Sequence, residues 1–245
     1  LFIFYIPPQG LAKILESLIA WYFFWGFMNR NLKSWLVLAL IYCTFFVWYT
    51  DLGGKLNSDE IETYLVKLQE NREPLGFSSP AEKEETKERQ KIIEKFMRED
   101  SGRQFLMVNN IDMSDSPEDV EGAQPGESAD QLMGRYMEHM YSELLKRACH
   151  PIFIGNSILQ AIDIVGIEDA EDWDSMALMR YKSRRAFMEV VSNPKIVGKH
   201  EFKVAALDKT IAYPIETVIY LSDPRLLLGF ILLIIGLIIQ LRVKK

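Results

Sequence analysis

The chain has 245 residues, of which 28 are basic and 34 acidic, giving a formal net charge of −6. That acidic balance argues against a nucleic-acid partner. Its two cysteines, Cys43 and Cys149, are too few and too differently placed for a disulfide scaffold.

The apolar residues are segregated. Within residues 1–52, expected to form a membrane region, "LESLIAWYFFWGFM" predicts an embedded helix at about 11–28, with an interfacial placement as the alternative. It lacks the basic start and small-residue cleavage site of a signal peptide. Residues 34–50, "SWLVLALIYCTFFVWYT", carry no charge and predict a transmembrane helix, with Trp35, Trp48 and Tyr49 where interfacial aromatic belts sit. A second uncharged run, 226–241, predicts a C-terminal span within 223–245. Arg30 and Lys33 precede the first span, and Arg242, Lys244 and Lys245 follow the second. By the positive-inside rule both clusters are cytoplasmic, which puts the acidic middle of the chain on the periplasmic side of a cell inner membrane.

Residues 53–100 read as a helical linker. "SDEIETYLVKLQ" predicts a helix with Ser58 as N-cap and Glu62 one position past the usual capping-box place. A second helix is expected to start with Ser79 as N-cap and Pro80 at its first position, and to dock by its last turns. From 101 to 218 the elements alternate. "QFLMVNNIDM" (104–113) is a strand, and 114–127 a loop. Ser128 and Gln131 open a helix with a capping box, and apolar positions 132, 133, 136, 137, 140, 141, 144 and 145 form its buried stripe. "PIFIGNSILQAIDIVG" (151–166) reads as a strand kinked near Gly155. In 173–182, Met176 and Leu178 share a face with Arg180 while Ala177, Met179 and Tyr181 share the other, so this strand needs cover on both sides. Ser183 caps a helix that ends before Pro194, and 201–216 closes as a strand-rich segment.

The order β–α–β–β–α–β predicts an α+β, ferredoxin-like domain whose helices cover one sheet face and leave the other for a second sheet. "DSGRQFLMVNNIDM", "WDSMALMRYKSRRAFMEVVSNP" and "HEFKVAALDKTIAYP" resemble the blocks of a family of unknown function in the dimeric α/β-barrel superfamily. The resemblance covers roughly residues 95–216 and implies the barrel fold and self-pairing; the superfamily holds both enzymes and members of no known activity, so it implies no single function.

Candidate site residues lie in the basic corner Arg180, Tyr181, Arg184 and Arg185, with Asp174 nearby in sequence. Arg180, among apolar neighbours, requires an anionic or multi-acceptor partner, for which Asp174, Glu189 and a bound carboxylate are the candidates. Arg184 and Arg185 sit in a helix's first turn, where the dipole disfavours cations. His139, His150 and His200 show no metal-ligand spacing, no glycine-rich phosphate loop indicates a cofactor, and no serine sits in the nucleophile elbow that a Ser-His-Asp site needs. Two functions remain open. One is a membrane-anchored, non-catalytic accessory or assembly subunit that contacts lipid, a like barrel and a larger membrane complex. The other is a membrane-tethered enzyme or binding protein for a small apolar carboxylate held by Arg180.

Overall fold

The computed structural model describes residues 30–72 and 80–243, with Ser17 alone outside them. The expected helix at 11–28, apart from that residue, and the expected N-cap Ser79 lie outside the described residues. The chain divides into two units, one containing the two apolar helices and the other running from Val47 to Ile219.

In the first unit, α1 (Arg30–Tyr49) and α8 (Pro224–Val243) are long and apolar enough to cross a membrane. The last three residues of α1 count with the second unit. The two helices meet in reversed order: Trp35 lies against Gly236 and Tyr42 against Gly229. Aromatic residues seven apart in one helix therefore fill glycine gaps seven apart in the other, an antiparallel pairing that depends on small residues for close approach.

The second unit is built on β1 (Phe105–Met113), β2 (His150–Asn156), β3 (Ser175–Tyr181) and β4 (Leu207–Ile215). They form one antiparallel sheet in the order β2-β3-β1-β4. With α4 (Ala129–Lys146) after β1 and α5 (Arg184–Val191) after β3, this is the ferredoxin-like β–α–β–β–α–β arrangement. The predicted Ser128–Gln131 capping box opens α4. Phe105 and Tyr181 on one sheet face pack with Met140 and Leu144 of α4 and Ala186 and Val190 of α5. Short α6 (Pro194–Val197) and α7 (His200–Ala205) lead into β4.

Helices α2 (Ser58–Arg72) and α3 (Pro80–Arg98) cluster with this unit. Ile61, Tyr64 and Met97 share a core with Met188 of α5. The α2 cap is one residue earlier than expected: the Asn57 side chain accepts from Glu60 N at 3.0 Å, and Glu60 accepts from Asn57 N at 2.9 Å. Ser58 is thus the first helical residue, because Asn57 completes the box with Glu60 while Ser58 has no Glu or Gln three positions on.

Two expected strands are shorter than the sequence suggests. Residues 157–166 form no strand, because β3 starts only at Ser175 and leaves them no ladder partner. Residues 201–205 are helical, since the spacing of Phe202 and Ala206 puts both on one face against Ala129 and Leu132.

Alternation along the paired strands gives the second sheet face Phe153, Leu178, Val108 and Tyr213 in one row, Met176, Asn110 and Ile211 in the next, and Arg180, Leu106 and Ile215 at the end. Phe153, Ile211, Tyr213 and Ile215 are exposed on it.

Candidate functional site

Three helix ends converge on the basic corner. The last four carbonyls of a helix lack an internal partner and carry the negative end of its dipole. Tyr49 is the last residue of α1, Phe96 lies in the last turn of α3, and Ala148 follows the end of α4. Arg180 donates to Tyr49 O at 2.8 Å, to Ala148 O at 2.7 Å and to Gln104 Oε1 at 2.9 Å. Its guanidinium carbon stands 3.5 Å from the centre of the Tyr49 ring. Arg184 donates to Phe96 O and lies 4.6 Å from that residue's ring centre. Helix α1 has no basic residue in its last turn, and the β3–α5 corner supplies the cation there.

Arg180 is 0% exposed. Its position at the end of the second face, beside Leu106 and closed over by Tyr49, explains how a strand with apolar neighbours buries a charge. The Tyr49 hydroxyl lies 2.8 Å from His150 Nε2, and His150 Nδ1 lies 2.9 Å from Pro151 O. A carbonyl only accepts, so Nδ1 carries the hydrogen, and in the neutral ring Nε2 accepts from Tyr49.

Arg184 also meets Asp100 at 3.5 Å and Glu216 at 3.2 Å. Arg185 pairs with Glu60 at 2.8 Å and Asp51 at 3.1 Å, and reaches the carbonyls of Gly54 and Lys55. These carboxylates offset the unfavourable placement of two cations in the first turn of α5. Burial raises the Asp51 pKa, but hydrogen bonds from Ser183, Gly53 and Arg185 outweigh it and hold the carboxyl below its usual range. The Glu60 carboxyl is lowered chiefly by its bond from Arg185.

Tyr181 points the other way, into the helix-covered core, stacked on Phe105 at 5.2 Å and edge-on to Phe187 at 5.0 Å. Burial drives its hydroxyl pKa upward. Asp174 is at the opposite end of β3, six residues and about 20 Å from Arg180. There it accepts from Met113 N at 2.6 Å, while its own N–H donates to Ile111 O. Glu189, the other local acid, pairs with Arg147 at 2.7 Å. The corner thus brings together Arg180, Arg184 and Arg185, and leaves Tyr181 and Asp174 elsewhere.

Sequence reasoning did not identify Tyr49, Gln104, Asp51, Glu60, Asp100 or Glu216 as partners. Tyr49 reads as an interfacial belt residue in sequence, yet it is buried while Trp48 beside it is exposed. A shallow cleft of about 260 Å³ beside the corner is lined by Ile92, Phe96, Phe105, Arg184, Ile215 and Glu216 among others. Among the described residues no three His, Cys, Asp or Glu side chains cluster as metal ligands.

No protein-family model matches this chain, and no curated protein does. Its solved structural neighbours include a protein of unknown function from Rhodopseudomonas palustris, 17% identical, covering 53% of this chain and 94% of its own, at a TM-score of 0.44. A dimeric protein of unknown function and ferredoxin-like fold from Bacteroides fragilis is 13% identical over 46% of this chain and 96% of its own, at 0.30. A protein from Arabidopsis thaliana is 15% identical over 47% of this chain and 97% of its own, also at 0.30.

Proposed function

We propose that this chain is a membrane-anchored, non-catalytic accessory or assembly subunit whose ferredoxin-like domain docks by its second sheet face onto a second copy, within a larger membrane complex. The observation that carries the reading is that face: Phe153, Ile211, Tyr213 and Ile215 stand exposed around Val108 and Leu178 on a sheet whose other face is covered by helices. An exposed contiguous apolar patch on a sheet is an interaction surface.

The spans at α1 and α8 tether the domain in an inner membrane, and the flanking basic clusters orient it to the periplasmic side. The alternative, a bound carboxylate on Arg180, needs that guanidinium to line a cavity. Its donors instead engage Tyr49 O, Ala148 O and Gln104, with the Tyr49 ring across its face. Mass photometry of the full chain in mild detergent tests the reading. We expect a dimer for the wild type and a monomer for Tyr213→Asp. A monomeric wild type, or a Tyr213→Asp dimer of unchanged affinity, overturns it.

A further inference from the structure

Residues 157–174 join β2 to β3 as an irregular arm at the sheet end opposite Tyr49. Its base is pinned: Ser157 N donates to Asp174 O, Ala161 N to Glu171 O, and Trp173 Nε1 to Ala170 O. Lys209 of β4 donates to Asp169 O at 2.8 Å and lies 5.2 Å from the Trp173 ring centre. On this fixed base the arm presents five aliphatic side chains to solvent. Ile158 is 100% exposed, Ile162 97% and Val165 84%, with Leu159 and Ile167 also exposed.

We infer that this arm is the second half of the self-pairing interface, each copy laying Ile158, Ile162 and Val165 on its partner. The inference rests on the pairing proposed above and extends it. Area is the first argument. Four strands about 4.8 Å apart, with about 17 Å of useful length, give a plan area of roughly 330 Å². A stable pairing buries about 800 Å² on each partner. Five aliphatic side chains at roughly 100 Å² each supply the missing area.

Charge is the second argument, and it selects the occupant. The arm holds Asp163, Glu168, Asp169, Glu171, Asp172 and Asp174 and no basic residue. Such an arm is repelled by anionic lipid headgroups and by another arm. The same chain carries Lys195 in α6 and Lys199 just before α7, neither of them paired with a carboxylate among the described residues. A second copy therefore offers the arm both apolar cover and compatible charge.

Photo-cross-linking in the full-length chain tests this, with p-benzoylphenylalanine placed at Ile162 in one copy and a distinguishing tag on the other. We expect a cross-linked product joining the two tags. The triple variant Ile158→Ser/Ile162→Ser/Val165→Ser should raise the dimer dissociation constant about 100-fold and leave the melting temperature of the monomer unchanged, since these side chains touch little of their own chain. A probe at Tyr213 serves as the control for the sheet face. Cross-links from Tyr213 to a second copy, together with wild-type affinity in the triple variant, overturn the arm and leave sheet pairing standing. Cross-links from Ile162 only to lipid or to an unrelated protein also overturn it. Absence of cross-linked pairs from both positions removes the pairing reading itself.

Discussion

Arg180 binds Tyr49 twice: its guanidinium carbon lies 3.5 Å from the centre of the ring, and one of its nitrogens donates to the carbonyl of the same residue at 2.8 Å. One side chain thus caps the end of α1 and stacks on the residue that forms that end. Arg180→Met should leave the buried carbonyls of Tyr49 and Ala148 without this donor, at about 1–3 kcal/mol each, and should remove a desolvated cation–π contact of about 2 kcal/mol. Removing the buried guanidinium also relieves its own desolvation cost, so we expect a net destabilisation of about 3–5 kcal/mol in urea unfolding followed by near-ultraviolet dichroism. Tyr49→Phe keeps the ring and loses only the bond to His150, so it should cost about 1 kcal/mol. Adding Asp174→Asn to Arg180→Met should be additive within about 0.5 kcal/mol, because the two sites share no partner. A strong coupling between them would contradict the separate roles described.

Acid should loosen the Arg185 corner. The Asp51 and Glu60 carboxyls are held below their ordinary values of 3.8 and 4.5, and Lys146 and Arg147 lower Glu143 to about 2. For carboxyls depressed in the folded state, the stabilisation is complete above the unfolded pKa and is lost as pH falls through the folded one. Stability should therefore decline from about pH 4.5 toward pH 2. Arg185→Gln should lower the neutral-pH plateau and flatten the part of that decline due to Asp51 and Glu60. A parallel pH profile in the variant would show that the ion pairs are not the source.

The pairing of the two apolar helices hinges on glycine. A methyl group on Gly236 would overlap the Trp35 ring, whereas one on Gly229 would lie 3.4 Å from Tyr42 Cε2. Gly236→Ala should weaken the helix pair much more than Gly229→Ala, and Trp35→Ala should restore the Gly236→Ala variant. Disulfide trapping between cysteines engineered across the two helices reads this directly. Equal trapping in all four proteins would refute the fit.

Orientation is tested at the loop after β1. A cysteine at the exposed position Glu121 should react with a membrane-impermeant maleimide in intact spheroplasts. Cys43 and Cys149 are replaced beforehand to remove background. Labelling that occurs only after lysis would reverse the topology.

The strands were legible where a short apolar run is bounded by polar residues, as in 104–113 and 173–182, and so were the Ser128 cap and the burial of Arg180. Residues 157–166, the first part of the arm, misled because their aliphatic side chains imitate a strand while a ladder partner is missing. Partners of the basic corner were not legible for a different reason. Tyr49 lies 131 residues from Arg180, and Asp51 and Glu60 lie 134 and 125 from Arg185. Local charge spacing pointed to Asp174 and Glu189, but strand geometry carries the first to the far end of β3, and Arg147 takes the second.

Main-chain recognition at Arg180 has an evolutionary consequence. Every amino acid has a carbonyl, so position 148 can change identity without depriving Arg180 of that acceptor. Toward Arg180, position 49 is constrained only in its aromatic ring, since the carbonyl is supplied by any residue. Substitutions at these positions need no compensating change at 180. Among related sequences the contact should therefore leave almost no trace of correlated substitution, in contrast to the Arg185–Glu60 and Arg185–Asp51 pairs, where losing a carboxylate strands a cation. Inferring this corner from covariation alone would recover the salt bridges on its rim and miss the arginine at its centre.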